Sequence, residues 1–64
     1  MSMSVSQQLV SATRALERVS DTPRLDAELL MAQALGLSRN ELLLRARDLV
    51  TPPDFEALLQ RRLA

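Results

Sequence analysis

The side chains of this sequence offer few groups that could carry out a reaction. Histidine and cysteine are absent, which removes the usual general base, the thiolate nucleophile and every cysteine-based metal site. One glycine, Gly36, cannot build a glycine-rich phosphate loop. Asp21, Asp26 and Glu28 lie around the start of a predicted helix, where the helix dipole and nearby charges favour the ionised carboxylate. We therefore predict that these 64 residues hold no catalytic, metal or cofactor site of their own.

Charged side chains beside apolar positions are better suited to binding than to catalysis. All eight basic residues are arginines, and arginine is favoured at protein interfaces because its planar fork pairs with carboxylates. The candidates for a partner surface are Arg24, Glu28, Arg39, Arg45 and Arg47. The competing interpretation is that each pairs within the molecule. Arg24 and Glu28 are one helical turn apart, so they are expected either to form an ion pair that joins helices or to belong to a docking face.

The composition indicates one small helical domain. Leucine and alanine, both strong helix formers, supply 22 of the 30 apolar residues, while isoleucine, tyrosine and tryptophan are absent. Eight arginines balance eight acidic residues, so no net positive field attracts phosphates and nucleic acid is disfavoured as a partner. No apolar run is long enough to span a membrane, and the first residues lack the features of a signal peptide. We expect a cytoplasmic protein.

Periodicity and stop signals predict two helices in the first half of the chain. The first, over about 5–19 and capped by Ser4 or Ser6, has an apolar stripe formed by Val5, Leu9, Ala12, Leu16 and Val19. Thr22 supplies a capping hydroxyl before Pro23, which predicts a second helix over 23–35, and Gly36 ends it in the left-handed conformation. Apolar residues surround most of this helix and leave Asp26 and Gln33 as a narrow polar stripe, so it is expected to be covered on more than one side.

Two more helices are predicted in the second half. Ser38 and Glu41 have the spacing of a capping box, which begins a third helix over about 39–47. Thr51-Pro52-Pro53-Asp54 repeats the signal of a cap followed by proline and begins a fourth helix over about 52–64. The apolar stripe of that helix consists of Phe55, Leu58, Leu59 and Leu63, with Arg62 on the same face.

The predicted fold class is all-α: a small orthogonal or antiparallel bundle of four helices in a single domain over 1–64. No glycine, asparagine or proline stops the fourth helix before Ala64. A helix normally ends at such a residue. We therefore expect the helix to continue, and the chain to be the N-terminal domain of a longer protein.

The second and third helices also have the spacing of a helix-turn-helix DNA-binding module. Ala32, Gly36, Leu37 and Leu42 fit that motif, and arginines of the third helix could then face bases or phosphates. The zero net charge, Glu41 in the recognition turn, and leucines where polar side chains are needed oppose this interpretation. A generic helical adaptor or oligomerisation domain is a further alternative.

Residues 22–32, Thr-Pro-Arg-Leu-Asp-Ala-Glu-Leu-Leu-Met-Ala, followed by Ala-Leu-Gly-Leu-Ser-Arg at 34–39, resemble a known domain. The chain is similar here to the N-terminal domain of release factor glutamine methyltransferases of the HemK/PrmC type. The segment Phe-Glu-Ala-Leu-Leu-Gln-Arg-Arg at 55–62 resembles the helix that precedes the linker to the catalytic domain in that family. The resemblance thus extends over nearly the whole chain.

The resemblance implies a function for the full-length protein rather than for these residues alone. Such an enzyme transfers a methyl group from S-adenosylmethionine to the glutamine of the Gly-Gly-Gln motif in peptide-chain release factors. The family's cofactor-binding segment and its Asn-Pro-Pro-Tyr loop belong to the C-terminal domain, so no catalytic residue is carried over to this sequence. The resemblance implies a helical domain that helps to hold the release factor and whose other partner is the catalytic domain.

Overall fold

The computed structural model describes residues 3–64; Met1 and Ser2, at the edge of the predicted domain, lie outside the described residues. Four helices follow in order: α1 (Val5–Leu16), α2 (Pro23–Leu35), α3 (Arg39–Arg45) and α4 (Asp54–Leu63). Over residues 3–64 no strand forms, and the all-α fold class is confirmed. None of these helices is both long and apolar enough to cross a bilayer.

Helix α1 begins with a capping box. Ser4 Oγ accepts a hydrogen bond from the Gln7 backbone N–H at 3.2 Å, and Gln7 Oε1 accepts one from the Ser4 N–H at 3.3 Å. The helix ends at Leu16, so the predicted extension to Val19 was wrong. The Val19 N–H donates to the Leu16 carbonyl three residues earlier, at 3.0 Å, which tightens the chain into a turn. Val19 is 39% exposed and lies outside the buried core.

Helix α2 has both predicted ends. Pro23 is its first residue, and Gly36 ends it with φ of 69°, a conformation that suits a residue without a Cβ atom. The Leu37 N–H donates to the Ala32 carbonyl at 3.0 Å, which satisfies a free carbonyl of the last turn. The predicted cap by Thr22 was wrong, because the Thr22 hydroxyl donates to Asp26 Oδ1 at 3.4 Å and accepts no backbone N–H.

Helix α2 is the central element, in contact with each of the other three helices. The prediction that it is covered on more than one side is confirmed. The core contains residues from all four helices: Val5, Leu9, Ala12, Leu16, Ala27, Met31, Ala32, Leu42, Phe55 and Leu59. From the predicted stripe of α4, Phe55 and Leu59 are buried and Leu58 and Leu63 are half-buried.

The capping box of α3 is confirmed: Ser38 Oγ accepts from the Glu41 N–H at 3.2 Å, and Glu41 Oε1 accepts from the Ser38 N–H at 3.1 Å. The helix ends at Arg45 and not at residue 47 as predicted. The carbonyl of Ala46 instead accepts the Ser6 N–H at 3.0 Å. This segment therefore satisfies a free N–H group of the first turn of α1 and does not continue the helix.

Helix α4 begins at Asp54, two residues later than predicted, and is observed to Leu63. Thr51 is not its cap, because Pro53 immediately precedes the helix and no side chain accepts a hydrogen bond from its first turn. The Thr51 N–H instead donates to the Met3 carbonyl at 3.1 Å, and Ser4 and Val50 form an isolated antiparallel bridge. This pairing keeps the chain extended before the two prolines. The Thr51 hydroxyl oxygen is buried and has no hydrogen-bond partner among the described residues.

Candidate functional site

Glu28 is a buried carboxylate between two arginines. The residue is 4% exposed and lies in the second turn of α2, next to the start of α3. Its Oε2 accepts a hydrogen bond from Arg24 Nε at 2.9 Å, and its Oε1 accepts one from Arg39 Nε at 2.8 Å. Arg24 is one turn earlier on α2, while Arg39 is the first residue of α3. The three side chains, here called the Glu28 cluster, therefore join α2 to α3.

Electrostatics favours the ionised form of Glu28. Burial by itself raises the pKa of this carboxyl, but the hydrogen bonds and charges of Arg24 and Arg39 outweigh it, so the pKa lies below 4.5. The predicted Arg24–Glu28 ion pair is present and forms part of a link between helices. Arg39 was not predicted as the third member. The sequence did contain a signal for this contact: the turn at Gly36 and the cap at Ser38 make Arg39 the first residue of α3, close after the end of α2.

A second ion pair joins α2 to the last turn of α4. Arg62 Nη2 lies 3.2 Å from Asp26 Oδ2 and donates to the Val19 carbonyl at 3.4 Å. Hydrogen bonding from the Ser20 hydroxyl, together with the charge of Arg62, lowers the pKa of Asp26 below its ordinary value. Asp26 was predicted on the narrow polar stripe of the second helix and Arg62 on the apolar face of the fourth, but the two were not predicted to pair, because 36 residues separate them.

Arg45 and Arg47 lie apart from the Glu28 cluster. Both are exposed, at the last residue of α3 and in the turn after it. Neither makes an ion pair with residues 3–64, although the charge of Arg45 contributes to lowering the pKa of Glu41 after the hydrogen bonds from Ser38. Of the five candidates for a partner surface, the structure thus brings three together and leaves two separate. Whether any of them contacts a partner stays a prediction.

The solvent-exposed face of α3 carries two leucines among its polar residues. Leu44 is 85% exposed and Leu43 is 42% exposed, in a helix of seven residues. A DNA-reading helix carries polar side chains that reach base edges from this face. The left-handed Gly36 supplies a turn between α2 and α3, but the exposed leucines offer no polar group to a base edge, which favours a protein partner over DNA.

The described residues do not fit S-adenosylmethionine, the cofactor that the resemblance implies for the full-length protein. Gly36, the one glycine, ends a helix and does not form a loop after a strand. Phe55, the one aromatic residue, is fully buried and cannot stack on an adenine ring. A groove of about 140 Å³ between α2 and α4 is lined by Asp26, Leu29, Leu30, Gln33 and Arg62. Among residues 3–64, no three acidic side chains lie close enough together to hold a metal ion.

Comparison with known proteins identifies the family. The model of the PrmC N-terminal domain matches residues 7–64, which is all but the first six residues of the chain. No curated protein and no solved structure matches the chain. The matched region includes all of α2, α3 and α4, and with them the Glu28 cluster and the Asp26–Arg62 ion pair. The chain belongs to the PrmC N-terminal domain family, whose members form part of release factor glutamine methyltransferases.

Proposed function

We propose that this domain holds the protein substrate of a methyltransferase while a separate C-terminal catalytic domain performs the reaction. The substrate is a peptide-chain release factor, and the modified group is the glutamine amide of its Gly-Gly-Gln motif. S-adenosylmethionine is the methyl donor and is bound by the catalytic domain. The family match over residues 7–64 is the observation that carries this proposal. Both proposed partners of this domain, the release factor and the catalytic domain, are proteins.

A substrate as large as a release factor needs contacts far from the reacting amide. Binding energy from such remote contacts positions the substrate and contributes to the overall rate. A docking domain must then be rigid, so that its contacts are already in place when the substrate arrives. Here the Glu28 cluster joins α3 to α2, and the more exposed Asp26–Arg62 pair adds a weaker link from α4 to the same helix. Helix α2 thus holds the surfaces of its neighbours in fixed positions.

The chemistry of the surface supports a binding role. The described residues present half-exposed arginines, a residue type enriched at protein interfaces, and exposed leucines, whose apolar surface is stabilised when a partner covers it. Arg45 and Arg47 follow Leu44 in the sequence and are exposed, so they can pair with carboxylates of a partner. The reactive groups of a methyltransferase are supplied by the catalytic domain.

Deleting residues 1–64 from the full-length enzyme tests the proposal. Steady-state methylation of the intact release factor should show a KM raised at least about tenfold, equivalent to about 1.4 kcal/mol of lost binding. The affinity for S-adenosylmethionine, measured by calorimetry, should stay the same. A short peptide containing the Gly-Gly-Gln motif serves as control, because it cannot reach this domain and should be methylated equally well by both enzymes. An unchanged KM for the intact release factor would contradict the proposal.

A further inference from the structure

The Glu28 cluster leaves most of its hydrogen-bond donors unused. Arg24 and Arg39 each bind the carboxylate through Nε alone. An arginine has five N–H donors, and no residue in the range 3–64 accepts a hydrogen bond from the terminal nitrogens of either side chain. Their side chains are 50% and 46% exposed. Both guanidinium groups therefore present their outer edges to solvent.

Charge and geometry make this pair of arginines a prepared binding site. Two positive charges share one negative charge, so the cluster carries a net charge of plus one. Both Nε atoms lie within 2.9 Å of oxygens of the same carboxylate, which holds the two guanidinium groups beside each other. Glu28 is itself buried at 4% exposure, and each of its carboxylate oxygens is bonded to one of the two arginines. Much of the cost of ordering the arginines is thereby removed before any ligand binds.

We propose that Arg24 and Arg39 form a fork that binds a carboxylate side chain of the docked protein, with Glu28 as the residue that positions them. This inference rests on the proposed function and specifies one contact in it. Guanidinium groups pair with carboxylates through parallel hydrogen bonds, and the unused terminal nitrogens are the donors needed. The ligand is an aspartate or glutamate on the surface of the release factor.

The surroundings of the fork favour a carboxylate on a protein over a phosphate on a nucleic acid. Leu25, beside Arg24 in the sequence, is 39% exposed, and Leu43, one turn after Arg39 on α3, is 42% exposed. A protein partner can cover these leucines and bury their apolar surface. The chain has zero net charge, whereas nucleic-acid binding needs an extended positive surface. The fork offers a single local excess of one charge.

The test uses the full-length enzyme with the double substitution Arg24→Gln and Arg39→Gln, together with Glu28→Gln so that no buried carboxylate is left unpaired. The KM for the intact release factor should rise about tenfold or more, while kcat and the kinetics with the short Gly-Gly-Gln peptide stay the same. A variant with Arg24→Lys and Arg39→Lys should bind the release factor more tightly than the glutamine variant and less tightly than the native enzyme. Lysine keeps the positive charge but lacks the planar pair of N–H donors that arginine offers to a carboxylate. Circular dichroism and thermal melting verify that each variant is folded.

A matched control separates the fork from general electrostatic attraction. Arg14 and Arg18 are exposed arginines of α1 and the turn after it, and Arg14→Gln with Arg18→Gln removes two positive charges without touching Glu28. The control variant should keep the KM of the native enzyme. An equal rise in both variants, or no rise in the fork variant, would overturn the inference. Inorganic phosphate that competes with the release factor as strongly as a matched aspartate peptide would overturn the carboxylate assignment.

The two proposals can fail separately. If deletion of residues 1–64 raises the KM and the fork variant does not, the domain binds the release factor through another surface and the fork is rejected. If the deletion leaves the KM unchanged, the proposed function fails, and the fork fails with it.

Discussion

Two acidic residues of α2, Glu28 and Asp26, each join this helix to a neighbour, but in different environments. The side chain of Glu28 is 6% exposed and accepts hydrogen bonds from two arginines, whereas that of Asp26 is 21% exposed, forms an ion pair with one arginine, Arg62, and also accepts a hydrogen bond from the Thr22 hydroxyl. A buried carboxylate depends on its partners because water cannot replace them. At Asp26 water can replace a lost partner. Both carboxylates therefore link α2 to a neighbouring helix, but they should differ in their contribution to stability.

The largest effect is expected when Glu28 loses both partners. Arg24→Met with Arg39→Met leaves a buried carboxylate without compensation, and we expect a loss of about 3 kcal/mol at pH 7. That value is the lower end of the usual range, because both guanidinium groups are half-exposed. The pKa of Glu28 should then rise above 4.5, because burial is no longer opposed. The deficit should shrink below that pH, where Glu28 is protonated. Urea unfolding at pH 7 and pH 4 measures this, and an equal deficit at both values would contradict it.

A smaller effect is expected when the charge of Glu28 itself is removed. Glu28→Gln keeps the shape and loses the charged hydrogen bonds, which should cost about 1–2 kcal/mol at pH 7. The folded-state pKa of Glu28 is lowered below 4.5, so its contribution is complete above that pH and is lost as the pH falls through the folded value. Stability of the native protein should thus fall between pH 5 and pH 3 more steeply than that of the variant. Parallel pH profiles would show that the cluster contributes nothing.

The smallest effect is expected at Asp26. Asp26→Asn should lower the denaturation midpoint by less than Glu28→Gln does. The difference from the native protein should nearly disappear in 1 M salt, where the Debye length of about 3 Å screens exposed ion pairs. Asp21, an exposed acid before the same helix, provides the control: Asp21→Asn should leave the midpoint unchanged at both salt concentrations. A loss at Asp26 equal to that at Glu28 would show that burial does not separate the two pairs.

Local interactions made much of this structure predictable from sequence. Pro23 and Gly36 determine the ends of α2 through their own backbone preferences, and Ser38 with Glu41 begins α3 through bonds three residues apart. The Arg24–Glu28 pair was predicted for the same reason, because one turn of helix brings the two side chains together. In each case the information lies within a few neighbouring residues.

The errors arise where distant segments compete with local preferences. Residues 46 and 47 continue the pattern of a helix, but the Ala46 carbonyl accepts the Ser6 N–H. Thr51 has the pattern of a cap, yet its backbone pairs with Met3. In the candidate site, Arg39 reaches Glu28 across 11 residues and Arg62 reaches Asp26 across 36. Local patterns of caps and periodicity do not reveal which distant residues the tertiary fold brings together.

We propose above that this domain binds the release factor and that the catalytic domain carries out the methyl transfer. The most direct test is the dissociation constant of the release factor, measured by calorimetry for the full-length enzyme and for the enzyme without residues 1–64. If the domain binds the release factor, the deletion should weaken binding at least about tenfold. The same dissociation constant for both proteins would contradict the account.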